Sequence, residues 1–360
     1  SHLGGIGFGA LAARQRPMPP KWLDLLDVRL KEDTALSRLY EEKGPITQGA
    51  QAGCFLVMHK ETGVHHSMRV YQNDDLSQWK LDELSSALRA QRKLNDAPAQ
   101  DDDLRCLSRL HEVLGSPKRT LVISELTPTQ GGTCTDLFTL VEKRGRIGEQ
   151  DARQIFTRLV LAAKAAHSAG VVLRNVKPEG VQVRQRCPDA EWAVWLADLH
   201  CAAPIKEGAE DECMAGMHGT PEYCAPEVVI WYWHEQGQLA EPPPLYGVQC
   251  DAWALGMCLH VMLCGCFPFD SSQEEDELLR SLNAAEFSFS DPGWKALSAD
   301  ALDMVSSLLK REPDDRFALE EVLQHPFCAG VVSEQVRTSA ENTFHNFDKA
   351  LAALEDDEEE

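Results

Sequence analysis

Apolar positions follow two different periods along this chain, and the change from one to the other divides it. Leu25, Leu30, Leu36 and Leu39 recur at helical spacing, which predicts a helix over residues 24–42. Ile46 to Val57 and His66 to Tyr71 then read as β-rich runs on either side of Glu61, Thr62 and Gly63, where the glycine marks a hairpin turn. Residues 81–94 return to a helical period, residues 97–103 form a polar break, and Leu121 to Ile123 is a short strand. Past Gly131 and Gly132 the apolar residues gather on helical faces. Asp151 to Ala169 places Ile155, Leu159, Leu161 and Ala162 on one side. Strand-like pieces recur at Val171 and Val172, Val181 to Val183 and Ala193 to Ala197, and beyond residue 225 the pattern is helical to the end. A β-rich first third ahead of a helical remainder predicts an α+β fold of two lobes, with a cleft between them.

Composition narrows the classes. The chain has 360 residues, 43% of them apolar, so it can bury a substantial core and is not a disordered protein. Its 35 basic and 57 acidic residues give a net charge of −22, which argues against nucleic acid and anionic membranes as principal partners. The 12 cysteines show no CxxC spacing, and Cys54, Cys106, Cys258 and Cys264 lie in apolar runs. They are expected to be buried free thiols in a reducing compartment, which places the protein in the cytoplasm. No apolar run is long enough to predict a membrane span. Residues 1–39 read as a Gly- and Pro-containing leader. Residues 333–354 read as an amphipathic helix with Phe344, Phe347, Leu351 and Leu354 on one side, ahead of the acidic run Glu355 to Glu360.

The chemistry-bearing motifs appear in a fixed order. His167-Ser-Ala-Gly170 leads into Leu173-Arg174-Asn175-Val176-Lys177-Pro178-Glu179-Gly180. Ala197-Asp198-Leu199-His200 follows, then Gly219-Thr220-Pro221-Glu222-Tyr223-Cys224-Ala225-Pro226-Glu227. Asp251-Ala252-Trp253 with Gly256, Gly265 to Phe269, Glu312 to Phe317 and His325-Pro326-Phe327 complete the series. This order and spacing resemble the protein kinase superfamily, whose Ser/Thr members carry HRDLKPEN, DFG, GTPEYxAPE and DxWxxG at the matching places. His59 to Gly63 and the lead-in Tyr40-Glu41-Glu42-Lys43 are similar to the calcium/calmodulin-dependent class. The resemblance covers residues 40–328 and implies a bilobal kinase fold, with a β-rich N-lobe over about 40–125, a helical C-lobe over about 126–328, and residues 329–360 as a C-terminal helix and tail.

Kinase chemistry consists mainly of positioning and charge neutralisation, so each missing part can be named. The family's Gly-rich phosphate loop corresponds to Thr47 to Cys54, where Gly49 alone keeps its place and Thr47 and Ala52 stand for glycines. Arg69 occupies the phosphate-binding Lys position, and its planar fork is not equivalent to an ammonium. The helix Glu that pairs with that Lys falls at Ala87, with Glu83 one turn earlier as a substitute. Asn175 stands at the catalytic Asp, and an amide cannot take up the hydroxyl proton. Gly180 stands at the metal-binding Asn, while Asp198 keeps the first Mg²⁺ position. Glu125 is the remaining nucleotide-cleft candidate. Lys177 and Thr220 are retained, with catalytic and structural readings both open. The resemblance further implies that Glu227 and Arg316 brace the large lobe, that Asp251 holds the loop bearing Arg174, and that Leu173 and Leu199 alter the hydrophobic stack between the lobes.

The chemistry is lost selectively and the framework kept. Three readings follow: a pseudokinase acting as scaffold or allosteric regulator, an active Ser/Thr kinase with a non-standard site, or a nucleotide sensor. ATP and Mg²⁺ are the implied cofactors, bound weakly or not at all. No Ser, Thr or Tyr lies between Asp198 and Thr220. Glu207, Glu210, Asp211 and Glu212 are expected either to imitate a phosphate opposite Arg174 or to form a solvated acidic loop. The insertion at 228–245, with Trp231, Trp233 and Pro242 to Pro244, is expected either to dock a protein partner or to pack on its own lobe.

Overall fold

A computed structural model of the chain describes residues 29–30, 37–46, 53–97, 106–115, 118–126, 134–185, 191–206, 213–289 and 292–331. The N-terminal part is a sheet of six strands: β1 (Arg29–Leu30), β2 (Tyr40–Pro45), β3 (Phe55–His59), β4 (His65–Gln72), β5 (Leu110–Gly115) and β6 (Arg119–Glu125). Their spatial order is β1-β5-β6-β4-β3-β2. The hairpin read from Gly63 joins β3 to β4, and Gly63 takes φ +72°, the left-handed turn conformation that glycine adopts without strain. Tyr40, Val57, Met68, Leu114, Leu121 and Ile123 close one face of the sheet.

The helix expected over residues 24–42 is not what the described part of that range forms. Among the described residues of that range, 29–30 and 40–42 are strand and 37–39 turn helically. Tyr40, 3% exposed, is buried through its pairing opposite His59 on β3, and that tertiary burial overrides the leucine spacing. Tyr40 Oη also donates to Glu112 Oε1 at 2.5 Å.

Helix α1 (Gln78–Asp96), capped by the Ser77 hydroxyl accepting from Lys80 N–H, sets Leu84 and Leu88 against Leu110, Val113 and Val122. The large lobe follows with β7 (Thr135–Asp136), α2 (Leu137–Arg144) and α3 (Glu149–Ser168). Next come β8 (Val171–Val172), β9 (Val181–Gln185), β10 (Trp192–Leu196) and β11 (Ala203–Pro204), then α4 (Pro226–Glu235) and α5 (Gln249–Cys264). The lobe ends with α6 (Glu275–Ala284), α7 (Ala299–Leu308), α8 (Leu319–Gln324) and α9 (Pro326–Ala329). Helix α5 is buried without interruption from Cys250 to Leu263, so it is the central post on which the other helices pack. Two small sheets, β10-β9-β7 and β11-β8, flank the segment from Leu173 to Gly180, which runs from β8 to β9. The fold is the α+β, two-lobed arrangement expected.

Cys54, Cys106 and Cys258 are buried free thiols, whereas Cys264 is half-buried. Among the described residues no helix is long and apolar enough to cross a membrane. The leader before residue 29 and the helix and acidic tail after residue 331 lie outside the described residues.

One histidine makes this fold sensitive to acid. His66 is 5% exposed, stacks on His111 with ring centres 4.2 Å apart, and has no partner for Nδ1. Burial, then the charges of His111, His59 and His65, push its pKa down from 6.5 to about 4, against a smaller opposing pull from Glu112. The unfolded chain therefore takes up a proton that the folded one refuses, and stability falls as pH drops below 6.5 toward 4. The loss expected of His66 is about 2 kcal/mol by pH 5. Thermal unfolding at stepped pH should show it, and His66→Phe should flatten the slope.

Candidate functional site

The site is built around the turn that follows β8. Asp251, fully buried on α5, accepts from Leu173 N–H at 2.8 Å and Arg174 N–H at 2.7 Å, and pairs with His167 Nε2 at 2.8 Å. Those bonds hold Arg174 at φ +59°, a conformation an L-residue adopts only when its surroundings dictate it. The Arg174 side chain turns the other way and donates from Nε to Cys201 O at 2.7 Å.

Asn175 is 3% exposed at the base of the cleft. Its Oδ1 accepts from Thr220 N–H at 3.0 Å and from Thr220 Oγ1 at 2.9 Å, while Nδ2 is buried without a partner. Lys177 Nζ completes the chain by donating to Thr220 Oγ1 at 2.7 Å. Gly219, at φ +108°, lets this segment come down on the loop, since a Cβ there would stand 2.4 Å from Arg174 O. The one side-chain oxygen of Asn175 is thus spent on Thr220, and the group facing away from it is an amide donor rather than a proton acceptor.

Asp198 follows β10. His200 Nδ1 lies 2.5 Å from its Oδ1. Burial works against charge on both groups. At Asp198 the bond and charge of His200, then Arg69 and Lys177, outweigh burial and hold the carboxyl below its ordinary range. At His200 the bond to Asp198 and the contact with Cys201 do the same and push the imidazole up to about 10. Arg69, on β4, is half-buried beside Cys54, Tyr71 and Asp198, and these neighbours outweigh burial and raise its pKa. Leu173 and Leu199 are buried, at 2% and 4% exposure.

Sequence position put the helix carboxylate at Ala87 or Glu83. Ala87 is buried on α1, and Glu83 is the residue that acts, on a different partner. Its Oε1 lies 3.2 Å from His218 Nδ1 and accepts from Cys201 Sγ at 3.7 Å. Trp79, half exposed one turn before, stacks on His218 with rings 5.7 Å apart and 6° from parallel. Helix α1 is therefore tied to the segment that enters Gly219 rather than to Arg69. Neither His200 nor His218 stood out in sequence, because a lone histidine in a loop gives no periodicity. The departure from DFG at residue 200 was the only signal.

Arg316 and Glu227 form a buried pair in the large lobe. Arg316, whose side chain is fully buried, donates to both Glu227 oxygens at 2.7 Å and to the carbonyls of Lys310, Gln249 and Arg311. Trp231 is 8% exposed and its indole N–H donates to Pro244 O, while Trp233 is half-buried against the core, with Pro242, Pro244 and Leu245 left exposed. Glu125 has an exposed side chain at the end of β6, and its N–H donates to Arg109 O. Gly49 with the rest of residues 47–52, and the acidic residues Glu207, Glu210, Asp211 and Glu212, lie outside the described residues.

A two-lobed fold carrying this loop, this brace and this segment order defines a protein kinase domain. The protein kinase domain family matches residues 40–328, and the chain belongs to it. Among curated relatives, it is 31% identical over 289 residues to serine/threonine-protein kinase DCLK3 of Mus musculus, covering 80% of this chain and 32% of that protein. It is 33% identical over 251 residues to DCLK3 of Homo sapiens, covering 68% and 35%. It is 26% identical over 301 residues to the probable serine/threonine-protein kinase fhkE of Dictyostelium discoideum, covering 82% and 38%. The chain spans about a third of the length of these relatives.

Kinase domains in general use ATP with Mg²⁺. The residues here do not fit the metal. Asp198 Oδ1 is taken by His200, and Gly180 offers no second ligand; a Cβ there would stand 3.2 Å from Asp198 Cβ, a tight contact in which the neighbour must give by a few tenths of an ångström. Among the described residues no group of three His, Cys, Asp or Glu side chains is arranged to hold a metal ion.

Proposed function

We propose that this chain is a pseudokinase related to the calcium/calmodulin-dependent class, which keeps the kinase fold as a scaffold or allosteric partner for another protein and does not transfer phosphate. The observation that carries the reading is Asn175, buried at the catalytic position with its only acceptor oxygen committed to Thr220. A kinase needs a carboxylate there to receive the substrate's proton. The surroundings agree with this. Glu83 is committed to His218 and Asp198 to His200, so both partners that would organise a nucleotide for transfer are engaged elsewhere. Lys177 serves Thr220 and Arg174 serves Cys201, which gives these retained residues structural work. The partner is a protein, met through the 228–245 segment, where Pro242, Pro244 and Leu245 are exposed and Trp231 stiffens the segment from beneath.

If several parts are missing at once, restoring one is not enough. Asn175→Asp alone is expected to leave transfer of labelled γ-phosphate to a basic peptide at background. The combination Asn175→Asp, Gly180→Asn, His200→Gly is expected to raise it by at least the roughly 10²-fold that a positioned base contributes. Transfer restored by Asn175→Asp alone would contradict the claim that the metal site is lost as well.

A further inference from the structure

Three consecutive prolines fix the backbone of the segment that leads into α5. Glu241, Pro242 and Pro243 each precede a proline, whose ring bars them from helical backbone, and Pro242, Pro243 and Pro244 have φ locked near about −65°. Together these restraints give a polyproline helix, with about three residues per turn and no hydrogen bonds of its own. Residues 242–245 form neither helix nor strand. Burial follows the period of three. Pro243 and Tyr246 are buried, whereas Glu241, Pro242, Pro244 and Leu245 are exposed, Leu245 at 46%. One ridge of this three-sided helix therefore packs on the large lobe. The other two, Glu241 with Pro244 and Pro242 with Leu245, face solvent.

The buried ridge is fastened from beneath. Trp231 Nε1 donates to Pro244 O at 3.2 Å, and Tyr246 Oη donates to Gly216 O at 2.9 Å. Tyr246 and Met214 exchange both backbone bonds, at 3.0 and 2.9 Å. A segment already held extended has little order left to lose on binding. Grooves lined with aromatic rings read polyproline ridges, and such a groove meets two faces of the ligand while the third points away. Here the third face is the one packed on the lobe. Tyr246, 2% exposed, is withheld, so the reader must recognise proline and leucine without it. The flanks are acidic: Glu235 and Glu241 are exposed, and no Lys or Arg occurs from residue 207 to residue 279. A complementary groove carries basic residues at its rim.

We propose that the two exposed ridges, Glu241 with Pro244 and Pro242 with Leu245, dock into the aromatic groove of a second protein, a polyproline-reading domain with a basic rim. This rests on reading the 228–245 segment as the docking surface, and it names the chemistry of the partner.

The test is titration calorimetry of the full chain with a panel of purified SH3, WW and EVH1 domains, beside the same titrations with a free peptide of residues 238–248. A domain with a basic rim is expected to bind the folded chain saturably. Pro242→Ala with Leu245→Ala is expected to weaken that binding at least about tenfold. Both side chains are exposed, so the thermal midpoint of the double variant should match the parent's, which checks that the loss is not unfolding. Glu241→Lys should weaken binding too and lessen its dependence on salt. Gln236→Ala, exposed on the same segment but off the ridges, should leave it unchanged. Binding by no member of the panel, or equal binding of the double variant, overturns the proposal. So does a domain that binds the free peptide and not the folded chain, since it reads residues the fold withholds. A protein that binds the 228–245 segment and ignores the double variant leaves the docking segment standing and removes this proposal. Binding is read independently of phosphate transfer, so failure of the pseudokinase reading shows in the transfer assay alone.

Discussion

Arg316→Ala is expected to destabilise the fold by about 3–5 kcal/mol, the cost of breaking one side of a buried ion pair. Every donor of this guanidinium is used. Two meet the Glu227 carboxylate and the rest meet the carbonyls of Lys310, Gln249 and Arg311, while the plane lies 5.2 Å from the ring centre of Trp253. Alanine leaves a carboxylate at the start of α4 with no counter-charge and three carbonyls without partners. In a chain of this size that corresponds to a fall in the unfolding midpoint of roughly 4–7 °C. Removing both charges, as in Arg316→Met with Glu227→Leu, should recover part of it, because the penalty is the orphaned charge rather than the lost attraction. Urea unfolding of the single and double variants decides this. A single variant within ~1 kcal/mol of the parent would contradict the assignment of Arg316 as the brace.

Asp251→Ala is expected to cost nearly as much and to act on the site itself. The carboxylate is the acceptor for two buried backbone N–H groups, those of Leu173 and Arg174, and the partner of His167. Each stranded donor costs about 1–3 kcal/mol, so the sum is about 3–5 kcal/mol. The bonds also hold the positive φ of Arg174, so their loss lets the segment from Arg174 to Lys177 relax. Hydrogen exchange should show the Leu173 and Arg174 amides losing protection while the helical core of α5 keeps it. Asp251→Asn, which retains an acceptor, should fall between. Unchanged protection at residues 173 and 174 would sink the argument.

The sequence made the fold legible because kinase motifs are framework residues at fixed spacing. His167 pairs with Asp251, and Glu227 with Arg316. The strand and helix periods were also readable, except where leucine spacing suggested that a helix runs through residue 42 and pairing opposite β3 made Tyr40 the start of a strand. The losses at Asn175 and Gly180 could be read directly. What replaced the lost contacts could not. That Glu83 would leave Arg69 for His218, and that His200 would settle on Asp198, depends on side chains more than 100 residues apart or on a two-residue turn whose geometry carries no periodic signal. The likeness of Trp231 to a binding anchor was equally unreadable as burial, because an indole that faces solvent and one that faces a core have the same sequence neighbours.

The central claim is that this kinase domain does not transfer phosphate. The most direct measurement is the rate at which the full chain moves labelled γ-phosphate from ATP to a basic peptide and to itself, in Mg²⁺ and in Mn²⁺, beside Asp198→Ala. The account predicts background transfer from the parent, unchanged by Asp198→Ala. Transfer above background that Asp198→Ala abolishes would contradict it.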